Sequence, residues 1–184
     1  MKTIDEAYIV NYCHPNCIPL KNIFRLSKED AFLLARKLAD SNPETTAFYR
    51  FADFENYYAM RTKQDKYLYD TFLSLGGIPK ETHPLSFVIQ GSEYLEKWFN
   101  YGTKTVIQLK NIPSHAVSFS LGDSGAMYKR NGAITMFTKE TLNSEIEKNN
   151  CSVNEYLKEI KSKYTYMEVQ LWDDEYCKFA EEIG

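Results

Sequence analysis

A chain of 184 residues with a formal net charge of -3, 26% charged and 43% hydrophobic residues, is long enough for one domain with its own core. That balance argues against direct nucleic-acid binding through a basic surface, and it suits contact with a larger basic protein or nucleoprotein. No apolar run approaches the about 20 residues of a membrane span, and the start MKTIDEAYIV lacks a secretory signal, so a cytoplasmic protein with reduced thiols and no membrane association is expected.

Ala7 to Tyr12 reads as the opening strand. Ser27 is a good N-cap, with Glu29 and Asp30 suiting the first turn of a helix whose buried stripe is Phe32, Leu34, Ala35 and Leu38. A longer helix is predicted from Phe54 to Leu75, stopped by Gly76-Gly77 and then Pro79. Leu85 to Ile89 is short and apolar, as a buried strand is. Ser92 caps a short helix ended by Gly102, and Thr105 to Leu109 is the next strand. Ala116 to Leu121 alternates Val117, Phe119 and Leu121 against Ser118 and Ser120, after which Gly122-Asp123-Ser124-Gly125 makes a turn. Ala133 to Phe137 is a strand after the turn Arg130-Asn131-Gly132. Thr138 starts a helix through Leu142 and Ile146, and Ser152-Val153-Asn154-Glu155 is a capping box opening another. A strand follows in the stretch YTYMEVQLW, Tyr164 to Trp172, and a last helix begins at Asp173-Asp174. Helices dominate the first half and short strands cluster after residue 84. That order argues for a single α+β domain over residues 1–184, its sheet mainly antiparallel, split or continuous.

The stretch YTYMEVQLW raises the main functional question. Thr165, Met167, Val169 and Leu171 form an ordinary core face, but the other face carries Tyr164, Tyr166, Glu168, Gln170 and Trp172. A carboxylate among aromatics costs free energy unless it is solvated, paired or hydrogen-bonded. Two arrangements satisfy it: a ligand cleft with apolar walls and a few polar groups, or an edge strand whose polar face lies under the final helix, with Glu168 paired to a lysine. The 14 tyrosines fit half-buried clefts and interfaces, and equally a tyrosine-rich core.

Other candidates are weaker. Cys13-His14-Pro15-Asn16-Cys17 looks like half of a zinc site, yet Cys151 and Cys177 stand alone and far apart, so free thiols beside a turn are expected and no metal. His83, before Pro84, suits a general base, a ribose contact or a simple turn residue; His115 reads as a turn residue. Neither a nucleophile elbow nor a phosphate-binding glycine loop is present. Arg25 and Arg50, each flanked by apolar residues, suit an anion pocket or a stem lying on the core with its charge in water about equally, while Arg61 suits the second.

Met167-Glu168-Val169-Gln170-Leu171, following a polar helix and the Lys161-Ser162-Lys163 linker, is similar to the late-strand glutamate segment of the ADP-ribosyltransferase fold, particularly the DNA-targeting toxins. Val117 to Ser124 is similar to the strand and turn before that helix, and Ile23-Phe24-Arg25-Leu26-Ser27 resembles the first-strand motif that contacts NAD. The resemblance implies NAD as the bound molecule, cleaved at the nicotinamide–ribose bond through an oxocarbenium-like transition state. It gives Glu168 the catalytic role of stabilising that cation and activating the acceptor. Arg25 would hold phosphate with Arg50 as substitute, Tyr166 and Trp172 would wall the pocket, and His83 would touch ribose. The Tyr-rich helix from Phe54 to Leu75 has no counterpart in the pattern.

Two other classes fit the same residues. A non-catalytic inhibitor, for example a mobile-element product that blocks a host defence nuclease in the anti-CRISPR manner, would present the acidic segments Glu140 to Glu147 and Asp173 to Glu182 to a basic partner. A metal-dependent nuclease would use Asp123 and Glu168 on magnesium, with Gln170 where a lysine is usual.

Overall fold

The strongest local signals in the chain are its helix caps, and each forms in the computed structural model, which describes residues 1–183. Ser27 and Ser92 accept backbone N–H groups from Asp30 and Leu95, and Thr138 and Ser152 build capping boxes with Thr141 and Glu155. The helices are α1 (Lys28–Ser41), α2 (Phe54–Ser74), α3 (Glu93–Trp98), α4 (Ser124–Asn131), α5 (Lys139–Lys148) and α6 (Val153–Tyr164). The strands are β1 (Tyr8–Cys13), β2 (Leu85–Ile89), β3 (Thr103–Gln108), β4 (Val117–Leu121), β5 (Met136–Phe137), β6 (Met167–Leu171) and β7 (Glu181–Ile183).

All seven strands join one continuous sheet in the order β5-β4-β6-β2-β1-β3-β7, with each neighbouring pair antiparallel. The fold is therefore α+β, with an unsplit sheet. One face is a conventional core. Registers Phe87↔Val169, Phe119↔Val169 and Ile9↔Ile89 align apolar side chains across the strands, and Leu142, Ile146, Leu157 and Ile160 of α5 and α6 close over them. Each such buried aliphatic contributes about 1.5–3 kcal/mol relative to exposure.

The opposite face answers the question posed by YTYMEVQLW. β6 lies inside the sheet between β4 and β2, so both of its faces are buried. The expected edge strand under a final helix does not form: residues 174–179 make only a 3₁₀ helix, and α2 covers the polar face of β6 instead. The fit is one of length. Arg61 to Phe72 rises about 16 Å along a helix, close to the about 13 Å from Glu168 to Trp172 along a strand. Leu68 and Phe72 thus pack with Trp172, whose ring stacks on Phe72 at 5.5 Å. Trp172 Nε1–H donates to Ser118 Oγ at 2.8 Å, Ser118 donates to Gln170 Oε1 at 2.9 Å, and Gln170 Nε2–H donates to Ser120 Oγ at 3.0 Å. That chain satisfies the buried polar atoms of the strand, as burial requires.

Four local expectations change. Gly122 to Gly125 is not only a turn: Asp123 Oδ1 accepts from Ala126 N–H at 2.8 Å and caps α4. Arg130-Asn131-Gly132 is then the end of that helix, with Gly132 left-handed at φ 66°, and only Met136–Phe137 remains as strand. Lys161-Ser162-Lys163 is the last turn of α6 and no linker. Ile23–Arg25 is a 3₁₀ turn rather than a first strand, a role taken by β1.

Candidate functional site

Between α1, α2, α3 and the sheet lies a cavity of about 880 Å³, within the range of small-molecule sites. Glu168 lines it and is 7% exposed. The side chain stays polar at a cost that two features offset. The Ser124 backbone N–H donates to Glu168 Oε2 at 2.7 Å, placing the carboxyl at the N-terminal end of α4, where a negative charge is favoured. Gly122, at φ 72°, makes the turn that delivers this N–H; a Cβ there would lie 2.9 Å from Tyr164 Cβ. Burial nevertheless dominates and, with like-charge Asp123 adding to it, holds the Glu168 carboxyl above the usual carboxylate range, against the pull of Arg61 and the Ser124 N–H.

Arg61 does not snorkel. Its side chain is 16% exposed, and Nε lies 2.8 Å from Oδ1 of the fully buried Asp65 one turn on, without hydrogen-bond alignment. Burial works against the Arg61 charge, but Asp65, Tyr57, Glu168 and Asp123 together keep it on the guanidinium. The other oxygen of Asp65 sits 2.7 Å from His83 Nδ1. Beside them Gln64 donates to Ser124 Oγ at 2.7 Å, tying α2 to the start of α4. Gly125 permits this approach, since a Cβ there would stand 3.0 Å from Gln64 Oε1.

The structure brings Glu168, Arg25, Arg50 and Tyr166 to one cavity. Tyr166 is 9% exposed, and its hydroxyl donates to Asp123 Oδ2 at 3.2 Å; burial first, then Asp123 and Glu168, push that hydroxyl's pKa up. Arg50 is the cation best placed for a ligand. Tyr49 OH accepts from its Nε at 2.6 Å, its guanidinium lies over the Tyr49 and Tyr57 rings, and among the described residues no carboxylate pairs with it. Arg25 is mostly committed elsewhere: Nε donates to the His83 carbonyl at 2.7 Å and Nη1 to Asp174 at 2.6 Å, which leaves Nη2 buried and unpartnered.

Two expected residues stand apart. Trp172 is fully buried under α2 with its N–H satisfied by Ser118, so it packs the core and does not wall the cavity. The His83 ring is held by Asp65 and packs at 5.9 Å from Phe24, behind the cavity rather than in it. Conversely, His14 lines the cavity, 4% exposed, with its ring 4.7 Å from Phe48. Burial lowers its pKa, so it is neutral at pH 7, and the Asn16 N–H bonds Nδ1 at 3.2 Å, which leaves the proton on Nε2 as a donor. Asp123 and Asn22 also line the cavity. Among the described residues no group of three His, Cys, Asp or Glu side chains is placed to hold a metal ion.

Compared with protein-family models, curated proteins and solved structures, the chain gives no significant match.

Proposed function

We propose that this cavity binds NAD and that the chain is an ADP-ribosyltransferase-like enzyme acting on an acceptor still to be identified. The observation that carries the reading is a buried Glu168 with a raised pKa, set between the α4 N-terminus and Arg61 in a cavity whose rim offers an unpaired Arg50. NAD needs a cation for its diphosphate and a carboxylate beside the anomeric carbon, and these residues supply both. Arg50, oriented by Tyr49, is the phosphate contact in this reading, ahead of Arg25, which is tied to Asp174. Glu168 in its ionised form would stabilise the cationic sugar as the nicotinamide bond lengthens, most strongly where water is excluded. His14, as a neutral Nε2–H donor, suits a ribose or amide oxygen.

Calorimetric titration tests this. NAD should bind saturably to the wild type, and Arg50→Ala should weaken binding by about tenfold or more, as loss of one charge-assisted contact implies. Arg25→Ala should lower the melting temperature as well, because it frees Asp174 and the His83 carbonyl. Absence of heat at millimolar NAD, with every protein folded, would overturn the reading.

A second reading has one observation behind it. Ile18 and Leu26, 71% and 42% exposed, both line the mouth of the cavity, as a docking rim for another protein would. A non-catalytic binder using that rim would keep its partner when Glu168 is replaced, whereas the enzyme would lose turnover.

A further inference from the structure

Cys13 and Cys17, on either side of His14, are left without a role by the NAD reading, although both line the same cavity. Cys13 ends β1 and is 8% exposed; Cys17 is half-buried, and both are free thiols. The intervening turn is closed on one oxygen. The His14 carbonyl accepts the Cys17 backbone N–H at 2.9 Å and the Cys13 thiol at 3.6 Å. Both groups bond one oxygen, so the turn brings the Cys17 backbone close to the Cys13 thiol.

We propose that Cys13 and Cys17 are an oxidant-sensitive pair that forms a reversible intramolecular disulfide across the His14 turn, the oxidant being a peroxide. The Cys17 thiolate attacks one oxygen of the peroxide, the O–O bond breaks, and the departing hydroxide takes up a proton to leave as water. The Cys13 sulfur then attacks the resulting sulfenic sulfur, gives up its own proton, and displaces the second water as the S–S bond forms. The thiols together lose two electrons and hydrogen peroxide is reduced to two waters. The division of labour follows from the sites. Cys17 is the more accessible sulfur, and a hydrogen bond from Cys13 lowers its pKa against the opposing effect of burial. Cys13 is raised, first by its interaction with Cys17 and then by burial, so Cys17 is the sulfur that reacts first with peroxide. Cys177 has no such partner, and burial pushes its thiol up to about 11.

The disulfide would act on the cavity because the turn itself is part of the wall. His14 and Asn16 both line the cavity, and oxidation withdraws the Cys13 proton that helps hold the His14 carbonyl. This consequence rests on the NAD reading; the disulfide does not.

The experiment treats the folded, full-length protein with a few equivalents of hydrogen peroxide, alkylates it under denaturing conditions and maps the peptides by mass spectrometry. The expected result is a peptide in which Cys13 and Cys17 are linked with loss of two hydrogens, reversed by dithiothreitol, while Cys151 and Cys177 are recovered alkylated. Cys17→Ser should leave Cys13 alkylated after the same treatment. Recovery of both Cys13 and Cys17 alkylated, or oxidation of Cys151 or Cys177 at an equal rate, would overturn the proposal. A second arm titrates NAD into oxidised and reduced protein, with binding at least fivefold weaker after oxidation as the supporting outcome. Equal affinity would remove the link to the cavity. If the reduced protein binds no NAD, the transferase reading fails on its own and the peptide map still decides the disulfide.

Discussion

Under the NAD reading Glu168→Gln should abolish turnover, and on any reading it should make the protein more stable at neutral pH. Nicotinamide release from NAD is expected to fall by about 10²–10³-fold, the scale on which a single preorganised electrostatic group acts. The stability gain follows from the raised carboxyl pKa, which burial causes. A folded-state pKa above the unfolded value means that the folded protein binds the proton more tightly than the unfolded chain. The stability from that proton is full below the unfolded pKa, about 4.3, and is lost as pH rises through the folded value. At pH 7 the wild type therefore carries the cost of burying a group that is ionised in the unfolded chain, and glutamine does not. Glutamine can still accept the Ser124 N–H that now bonds Oε2. Each pKa unit corresponds to about 1.4 kcal/mol, or about 3–6 °C in melting temperature for a chain of this size. Thermal melts from pH 4 to pH 8 give the check: the advantage of the glutamine variant should be near zero at the acid end and grow toward neutrality. A variant less stable than wild type at pH 7 would show that the carboxylate is kept for the fold and not for chemistry.

How much of this was legible in the sequence depends on whether the deciding interaction was local. Caps are local, so Ser27, Ser92, Thr138 and Ser152 marked their helices correctly. Strand alternation is local too, and it singled out Glu168 as a carboxylate that needed an explanation. What covers the strand is not local. Trp172 was placed on the Glu168 face, correctly, but its neighbours there are Phe72 and Ser118, supplied by α2 and β4. The same face is therefore a cavity at Glu168 and a packed core four residues later. In the sequence Arg61 suits a stem on the core with its charge in water, as an arginine amid helix tyrosines usually has; the contrary signal is Asp65, one turn on, which makes a buried i,i+4 pair available. His14 was hidden by the two cysteines around it, which drew the pattern toward metal ligation. Helix α4 was missed because Gly122, Ser124 and Gly125 are poor helix formers, although Asp123 is a good cap and its side chain does cap.

Asp65→Leu should be the most damaging single change near the site, and Arg61→Met should largely repair it. Asp65 is fully buried, with one oxygen 2.8 Å from Arg61 and the other 2.7 Å from His83. Removing it leaves the Arg61 charge, itself only 16% exposed, without its nearest counter-ion. Orphaning one member of a buried pair costs about 3–5 kcal/mol, which for a domain of this length is a fall of roughly 6–20 °C. Replacing Arg61 as well removes the stranded charge, and apolar side chains of similar size in place of a buried pair are close to neutral. The double variant should thus recover most of the loss, a coupling far larger than additivity allows. Activity under the NAD reading should not recover with it. Arg61 is among the groups that favour the ionised form of Glu168, so without it the Glu168 carboxyl should titrate at still higher pH, and any NAD turnover should shift its pH optimum upward. Melting curves for the wild type, the two single variants and the double variant measure the cycle, and a pH profile of Arg61→Met measures the second effect. If the two stability costs simply add, Asp65 and Arg61 are separate packing residues; if the pH profile does not move, Arg61 holds α2 in place without tuning Glu168.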